Sequence, residues 1–580
     1  MLEPIDRETE DQLLDEIDRE ELQRHLEVFD GLERVSGTAD EWEASEYVIE
    51  TLEEYGVDAT LHEYEGYISV PEEASVEVTT PTGRRIDDAI TTSFSASTPP
   101  SGIHGEVVHL GEIDAESVDP AVVENKLVFS RGLPTPDAVN HLETAGAAGL
   151  IMESVTEGYL HEMIVTPIWG TPSTKTADRL PELPVVEIKQ TDGDWLRERL
   201  AHGPVEATIT TAVTTELTTL PCPVGKIDGA ESDRYFVIGN HVDSWHEGLT
   251  DNATAMAATL EIARIFADRE PNRGLVFGFW SAHSTGRYAG STWYNDEHWL
   301  DLRDNGVAYL HLDLNGLKGA DSLSTTHMAE LEDEQLDAAE ITRFSLQEPE
   351  DSILGSTDRP SRNSDQSFWG TGLSSLLSGG RLTPGTEEGG PVGGGWWWHT
   401  PADTLDKVDL DVLTEEIKLY LALSCRICES PVLPHDYTAT VEDIRAVLDA
   451  IADEAGEAVA FDDLDMRLNA LRGALKRANG IINERAGTDA DVAAAAEDLQ
   501  VELGNQLIPA LYMEEPDYEQ DPALPHKRLP YLRVAEDLPE LQGRDRRFAE
   551  TTIQRGKAKL GHRIERARAA TTRFIDAYGE

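Results

Sequence analysis

YFVIGNHVDSWHEGLTDNATAMAATLEIARIFAD, residues 235–268, changes its periodicity midway. Tyr235 to Gly239 form a short apolar run of the length expected for a strand buried on both faces. From Ala253 onward the stretch is Ala-rich, with apolar residues at helical spacing. The loop between them holds His241, Asp243, His246, Glu247 and Asp251. The same texture recurs in "GLVFGFWSA" (274–282), "VAYLHLDLNG" (307–316) and "GLSSLLSG" (372–379). Apolar strands alternating with helices indicate an α/β protein, its mostly parallel sheet flanked by helices. In such sheets ligands sit beyond the carboxyl ends of the strands. The polar residues here follow each apolar run directly.

Working outward, residues 1–100 and 213–432 read as one discontinuous domain. Its N-terminal part has helical patterns, then the alternating "GVDATLHEYEGYISV" and a hairpin-like "ASVEVTTPTGRRI". Residues 101–212 alternate short strands with an Ala/Gly helix and read as a small α/β insertion. "LVFSRG" and "TAGAAGLIM" there resemble a protease-associated domain. After residue 432, in 433–580, apolar residues recur at helical period, which predicts a C-terminal helical domain.

The chain has 580 residues, too many for one core. It carries 111 Asp+Glu against 47 Lys+Arg, a net charge of −64. Such a polyanion repels nucleic acid and acidic membranes, so neither is an expected partner. The acid is spread over the whole length and reads as adaptation to a high-salt cytoplasm, as in salt-loving archaea. The N-terminus lacks the basic and apolar regions of a secretory signal. The three cysteines, Cys222, Cys425 and Cys428, suit a reducing compartment. The Cys-x-x-Cys pair lies in an apolar helical pattern and reads as core.

Neutral imidazole is a good zinc ligand, a carboxylate can bridge two metals, and a second Asp can fix the imidazole tautomer. "GNHVDSWHEGLTDNATAMAA" (239–258), "VAYLHLDLNG" and "GWWWHTPADTLDKVD" (395–409) together resemble the family of zinc aminopeptidases, glutamate carboxypeptidases and the transferrin receptor. The resemblance implies His241 and Asp313 on one metal, Asp251 bridging, and His399 on a second, with Asp403 behind it. His311 stands where the family has Asn. Asp365, in "RNSDQSFWGTGLSSL", falls near the pocket. The implied cofactor is zinc, one or two ions. The implied substrate is a peptide or N-acyl amino acid held between the catalytic domain and the insertion. The helical domain falls where the carboxypeptidase branch dimerises, so a homodimer is expected.

One landmark is altered. In "FWSAHSTGRYAGSTWY" (279–294) the family's adjacent glutamates, a base and a metal ligand, are replaced by His283 and Ser284, and the turn is one residue longer. His283 can serve as a metal ligand or as the catalytic base, and strand alternation would let only one of the two residues face the metals. Asp243 and, in reserve, Glu247 are the other catalytic candidates. Two functions follow: a metal-dependent exopeptidase-type hydrolase, or an inactive binding or scaffold protein on the same fold. Trp396–Trp398, after a Gly run, read as a mobile loop and an apolar wall.

The charge predicts that salt stabilises the fold. At 1 M salt charges are screened within about 3 Å. Equilibrium unfolding should show stability rising from about 0.1 M to molar KCl; a flat or falling dependence would contradict the high-salt reading.

Overall fold

The computed structural model describes residues 7–113, 118–341 and 354–579. Its centre is a block of parallel strands: β3 (Ser232–His241), β4 (Arg273–Trp280), β5 (Gly306–His311) and β6 (Ser374–Arg381), in the order β6-β5-β3-β4. Every residue of β4 is buried, as the unbroken apolar run requires. Helices Thr254–Ala267 and Leu410–Glu429 pack on one face with the N-terminal helices, joined in one core. Cys425 and Cys428 lie in that core as free thiols.

Two very long antiparallel strands, β1 (Asp58–Thr80) and β2 (Glu206–Ile227), run from this block to the smaller lobe. One end of β2 pairs with β4, and the other pairs with strand Ile103–Gly111. From there strands 103–111, 127–131, 149–153 and 185–188 continue in parallel. Strand Ala89–Thr91 closes this edge by pairing with Val185–Ile188, so the smaller sheet recruits residues ahead of position 101. The sheet is therefore parallel in its two centres and antiparallel where β1 and β2 join them.

Helices Tyr437–Ala455, Asp462–Arg485, Ala490–Tyr512 and Gly543–Tyr578 form a separate apolar core. No described helix is long and apolar enough to cross a membrane. Arg273 ties this bundle to the sheet. It is 1% exposed, donates to the carbonyls of Ile427 (2.9 Å) and Ser430 (2.8 Å), and pairs with Glu497. Replacing Arg273 by Met would leave the Glu497 carboxylate without its cation in a buried place. Breaking such a pair costs about 3–5 kcal/mol. Chemical denaturation should register a loss of that order, and a loss below about 1 kcal/mol would show the tie to be dispensable.

Candidate metal centre

Register places the site. His241 at the end of β3 is level with Trp280 at the end of β4, and His311 on β5 is level with Gly239 and Leu377. The segments leaving these strands thus emerge at one edge of the sheet. They bring together His241, the 281–284 turn and Asp313; Asp251 and His399 arrive from loops.

His241 Nε2 lies 3.1 Å from Asp251 Oδ1 and 3.5 Å from Asp313 Oδ1. His399 Nε2 lies 3.1 Å from Asp251 Oδ2. Ligands about 2.1 Å from a tetrahedral zinc stand about 3.4 Å apart, so these separations match the edges of a coordination shell. His241, His283 and Asp313 offer ligand atoms that all fall within 4.8 Å of one another.

The remaining polar atoms are used in the way a metal centre requires. His241 Nδ1 donates to the Asp243 carbonyl at 2.8 Å, and His399 Nδ1 to the Glu162 carbonyl at 2.6 Å. Both bonds fix the tautomer that leaves Nε2 without a proton for a cation. Trp280 Nε1 donates to the Tyr309 hydroxyl, which bonds His311 Nδ1 (2.9 Å); His311 Nε2 meets Ser364 Oγ, which donates to Asp313 Oδ2 at 2.7 Å. That chain orients Asp313 and leaves its Oδ1 buried with no hydrogen bond. A buried carboxylate oxygen without a partner is costly, and a cation there would satisfy it.

Electrostatics agree. Burial opposes ionisation of Asp251 and Asp313, yet the imidazoles against them hold both carboxyls below their ordinary range. Burial opposes a charged His241, yet these two carboxylates hold it well above the usual imidazole value. The pocket therefore favours positive charge at Nε2, which a divalent cation supplies by displacing the proton.

His283 takes a defined place. Its ring stacks on His241, centroids 3.8 Å apart at 13°, and its Nδ1 bonds Asp365 Oδ2 at 2.7 Å. Asp365 is fully buried and accepts from Ser291 Oγ at 2.6 Å. Burial opposes its ionisation, but His283, with His311 and His241 beyond, keeps the carboxyl below its ordinary value.

Several sequence expectations need correcting. Asp243 is not free for catalysis: its carboxylate accepts from the His283 N–H (3.0 Å), the Ser284 N–H (2.9 Å) and Ser36 Oγ (3.0 Å). It pins the turn, while its backbone carbonyl, not its side chain, bonds the His241 ring. Glu247 does not line the cavity; buried Arg34 holds its carbonyl (2.8 Å) together with those of Val242 and Gly248. His283 and Ser284 both line the cavity, because they sit on a turn after β4 rather than within a strand. Asp403 does not contact His399. It accepts from Thr250 N–H and Oγ1 and from Asp251 N–H, at 3.0, 2.8 and 3.1 Å, and so fixes the backbone of Asp251. Trp397 is fully buried and Trp398 walls the cavity against the His399 ring, so these residues are packed anchors.

Sequence reasoning missed Glu162, whose carbonyl orients His399 from inside the insertion, and Tyr288, whose ring meets His283 edge-on at 4.8 Å. Neither carries a local signal: a carbonyl acceptor can belong to any residue, and an aromatic ring beside an imidazole is set by the fold of the turn.

Histidines and aspartates converge beyond the strand ends of an α/β sheet, and among the described residues His241, His283 and Asp313 form a group that could hold a metal ion. Residues 224–424 match the model of Peptidase family M28. Mouse "Aminopeptidase NAALADL1" is 36% identical over 112 residues, 18% of this chain and 15% of the relative. "Probable glutamate carboxypeptidase AMP1" of Arabidopsis thaliana is 38% identical over 88 residues, 14% of this chain and 12% of the relative. These matches thus span less than a fifth of the relatives' own lengths. Among solved structures, "Aminopeptidase from Aneurinibacillus sp. strain AM-1" superposes with a TM-score of 0.55 at 21% identity, covering 73% of this chain and 96% of that one. A zinc aminopeptidase from Bacillus subtilis gives 0.52 at 20% identity, covering 70% and 95%.

Asp403 offers a test that leaves every proposed ligand in place. Loss of groups that orient ligands typically lowers metal affinity 10–100-fold. Asp403→Ala should weaken zinc binding by about that factor in calorimetric titration; unchanged affinity would show that Asp251 is held without it.

Proposed function

We propose that this chain is a metal-dependent exopeptidase-type hydrolase of peptide or N-acyl amino acid bonds. The observation that carries the reading is the convergence of His241, Asp251, Asp313 and His399 at ligand-to-ligand spacing, within a domain matching Peptidase family M28. Asp251 lies between His241 and His399, each of its carboxylate oxygens 3.1 Å from one imidazole, and would help hold the metal. His283 would hold the metal together with His241 and Asp313, its ring oriented through Nδ1 by Asp365 in the carboxylate–histidine arrangement common behind metal ligands. Zinc bound there would supply Lewis acidity toward an amide carbonyl and a hydroxide near neutral pH.

The chain's own residues do the rest. A cavity of about 450 Å³ opens on Asp251, His283, Asp313 and His399, a size suited to a small ligand. Leu133, Pro136, Met163 and Ile164 of the insertion form one wall, and Trp245 and Trp398 another. Ser284 stands where the family has an acidic residue and brings no charge, so the ligand set leans toward His241, His283 and Asp313.

The Asp365–His283 pair also favours a second reading, in which His283 Nε2 takes a proton from the attacking water. His283→Ala separates the two. As a ligand, its removal should lower zinc affinity at least tenfold, read by metal titration, along with chelator-sensitive peptidase activity. Wild-type zinc affinity with activity lowered 10²–10⁴-fold would assign it the base role instead. Wild-type affinity and activity together would remove His283 from the site.

A further inference from the structure

We infer that a second cavity, of about 370 Å³ and set between the sheet and the helical bundle, binds a small primary alkylammonium. It stands apart from the metal centre. His435 in its wall bonds the carbonyl of Val307 at the start of β5, whereas the metal centre lies beyond the other end of that strand. Segment 430–436, helix Glu332–Ile341 and the bundle helices Asp462–Arg485 and Ala490–Tyr512 supply the walls. A volume of this size suits a small ligand.

Two side chains in the wall, His435 at 6% and Gln500 at 7% exposed, each keep a buried polar atom without a partner: His435 Nδ1 and Gln500 Oε1. Both atoms are acceptors, and their surroundings fix that role. His435 Nε2 donates to the Val307 carbonyl at 3.1 Å, so a neutral ring presents a lone pair at Nδ1. Burial lowers His435 to about 3, against the pull of that carbonyl and with the charge of Arg273 adding to the fall, and so keeps the ring neutral. The Gln500 amide nitrogen donates to the carbonyls of Leu433 (2.7 Å) and His435 (3.3 Å), which identifies the other end of the amide as the oxygen. Buried acceptors without donors are costly, and a ligand that donates to both would relieve the cost.

The charge around these acceptors is of one sign. Asp333, Glu334, Asp337 and Asp436 line the cavity, and among the described lining residues there is no lysine or arginine. Arg426 pairs with Glu334 at 3.4 Å, and Asp436 caps helix Tyr437–Ala455. Asp333 and Asp337 stand exposed at the rim and form no ion pair among the described residues. Burial raises the Glu334 carboxyl against the pull of Arg426, and Asp337 and Asp333 add repulsion. In a chain of net charge −64, acid alone is expected on any surface; the two unpartnered acceptors beneath it single this cavity out. Val432, Leu433 and Ile482, all buried, give the walls an apolar share suited to an alkyl stem. An ammonium group carries three N–H donors and no acceptor, together with the positive charge that the rim attracts. An alkali ion would bring the charge without a donor or a stem.

The test uses the full chain in about 1 M KCl, where charges are screened within about 3 Å and loose attraction to the acidic surface is suppressed. Cadaverine is titrated calorimetrically, with pentanediol as the uncharged control. The diamine should fill one saturable site per chain, and the diol should not bind. Gln500→Leu should weaken cadaverine about 10–100-fold, the worth of a hydrogen bond to a charged group. Because Gln500 lies in the core, Asn483→Arg provides a second variant: it sets a cation at the exposed rim, and it too should weaken binding. Crystals grown with cadaverine should place an amine nitrogen within hydrogen-bond distance of His435 Nδ1 and Gln500 Oε1. Water alone on those atoms, no saturable binding in wild type, or unchanged affinity in both variants would overturn the site. Binding present at low salt and lost at 1 M KCl would belong to the acidic surface at large and overturn it as well. Equal binding of the diol would overturn the ammonium class. None of these readouts depends on a metal or on peptide cleavage, so the site stands or falls apart from the hydrolase reading.

Discussion

Everything at the site depends on the shared level at which β3, β4 and β5 end. Parallel pairing fixes that level: His241 opposite Trp280, His311 opposite Gly239. A shift of one residue in either ladder would turn side chains to the opposite face and disperse the cluster. Hydrogen bonds beyond the strands then hold the geometry. Asp243 secures the 283–284 turn, Asp403 secures Thr250 and Asp251, and Arg34 secures the loop between. Three buried charges around the centre, Asp243, Asp403 and Arg34, are thus spent largely on backbone positions, which holds the neighbouring side chains at fixed distances.

The architecture was legible in the sequence because its central strands are buried on both faces, which leaves unbroken apolar runs such as "GLVFGFW". The ligand candidates were legible for a related reason: in a parallel sheet, function collects just after each run. The roles of their neighbours were not. Asp243 and Asp403 read as partners of imidazoles, yet both bind backbone N–H groups, a distinction set by loop conformation rather than by residue type. Glu247 looked available because it lies between two ligand candidates, but Arg34, more than 200 residues away in the chain, fixes that loop by its carbonyls. The join between the lobes was obscured as well. β1 and β2 extend across both, so composition shifts near residue 101 after the smaller sheet has already begun at Ala89.

The insertion does more than cover the centre. Its Glu162 carbonyl sets the His399 tautomer, its Gly170 holds the Arg287 backbone, and its Trp169 packs on Tyr288. Two loops of the sheet are therefore shaped by a lobe that contributes none of the proposed ligands. The altered turn fits this picture: where the family carries an acidic pair, this chain places a histidine backed by a buried aspartate, and four residues later an arginine without a carboxylate.

The most direct test of the shared cation is anomalous X-ray diffraction from crystals grown with zinc. The account predicts a peak within about 2.0–2.2 Å of His241 Nε2 and an Asp313 oxygen, with Asp251 in the same shell. Zinc found only elsewhere on the acidic surface, with His241 Nε2 still bonded to Asp251 Oδ1 and Asp313 Oδ1 still without a partner, would contradict it.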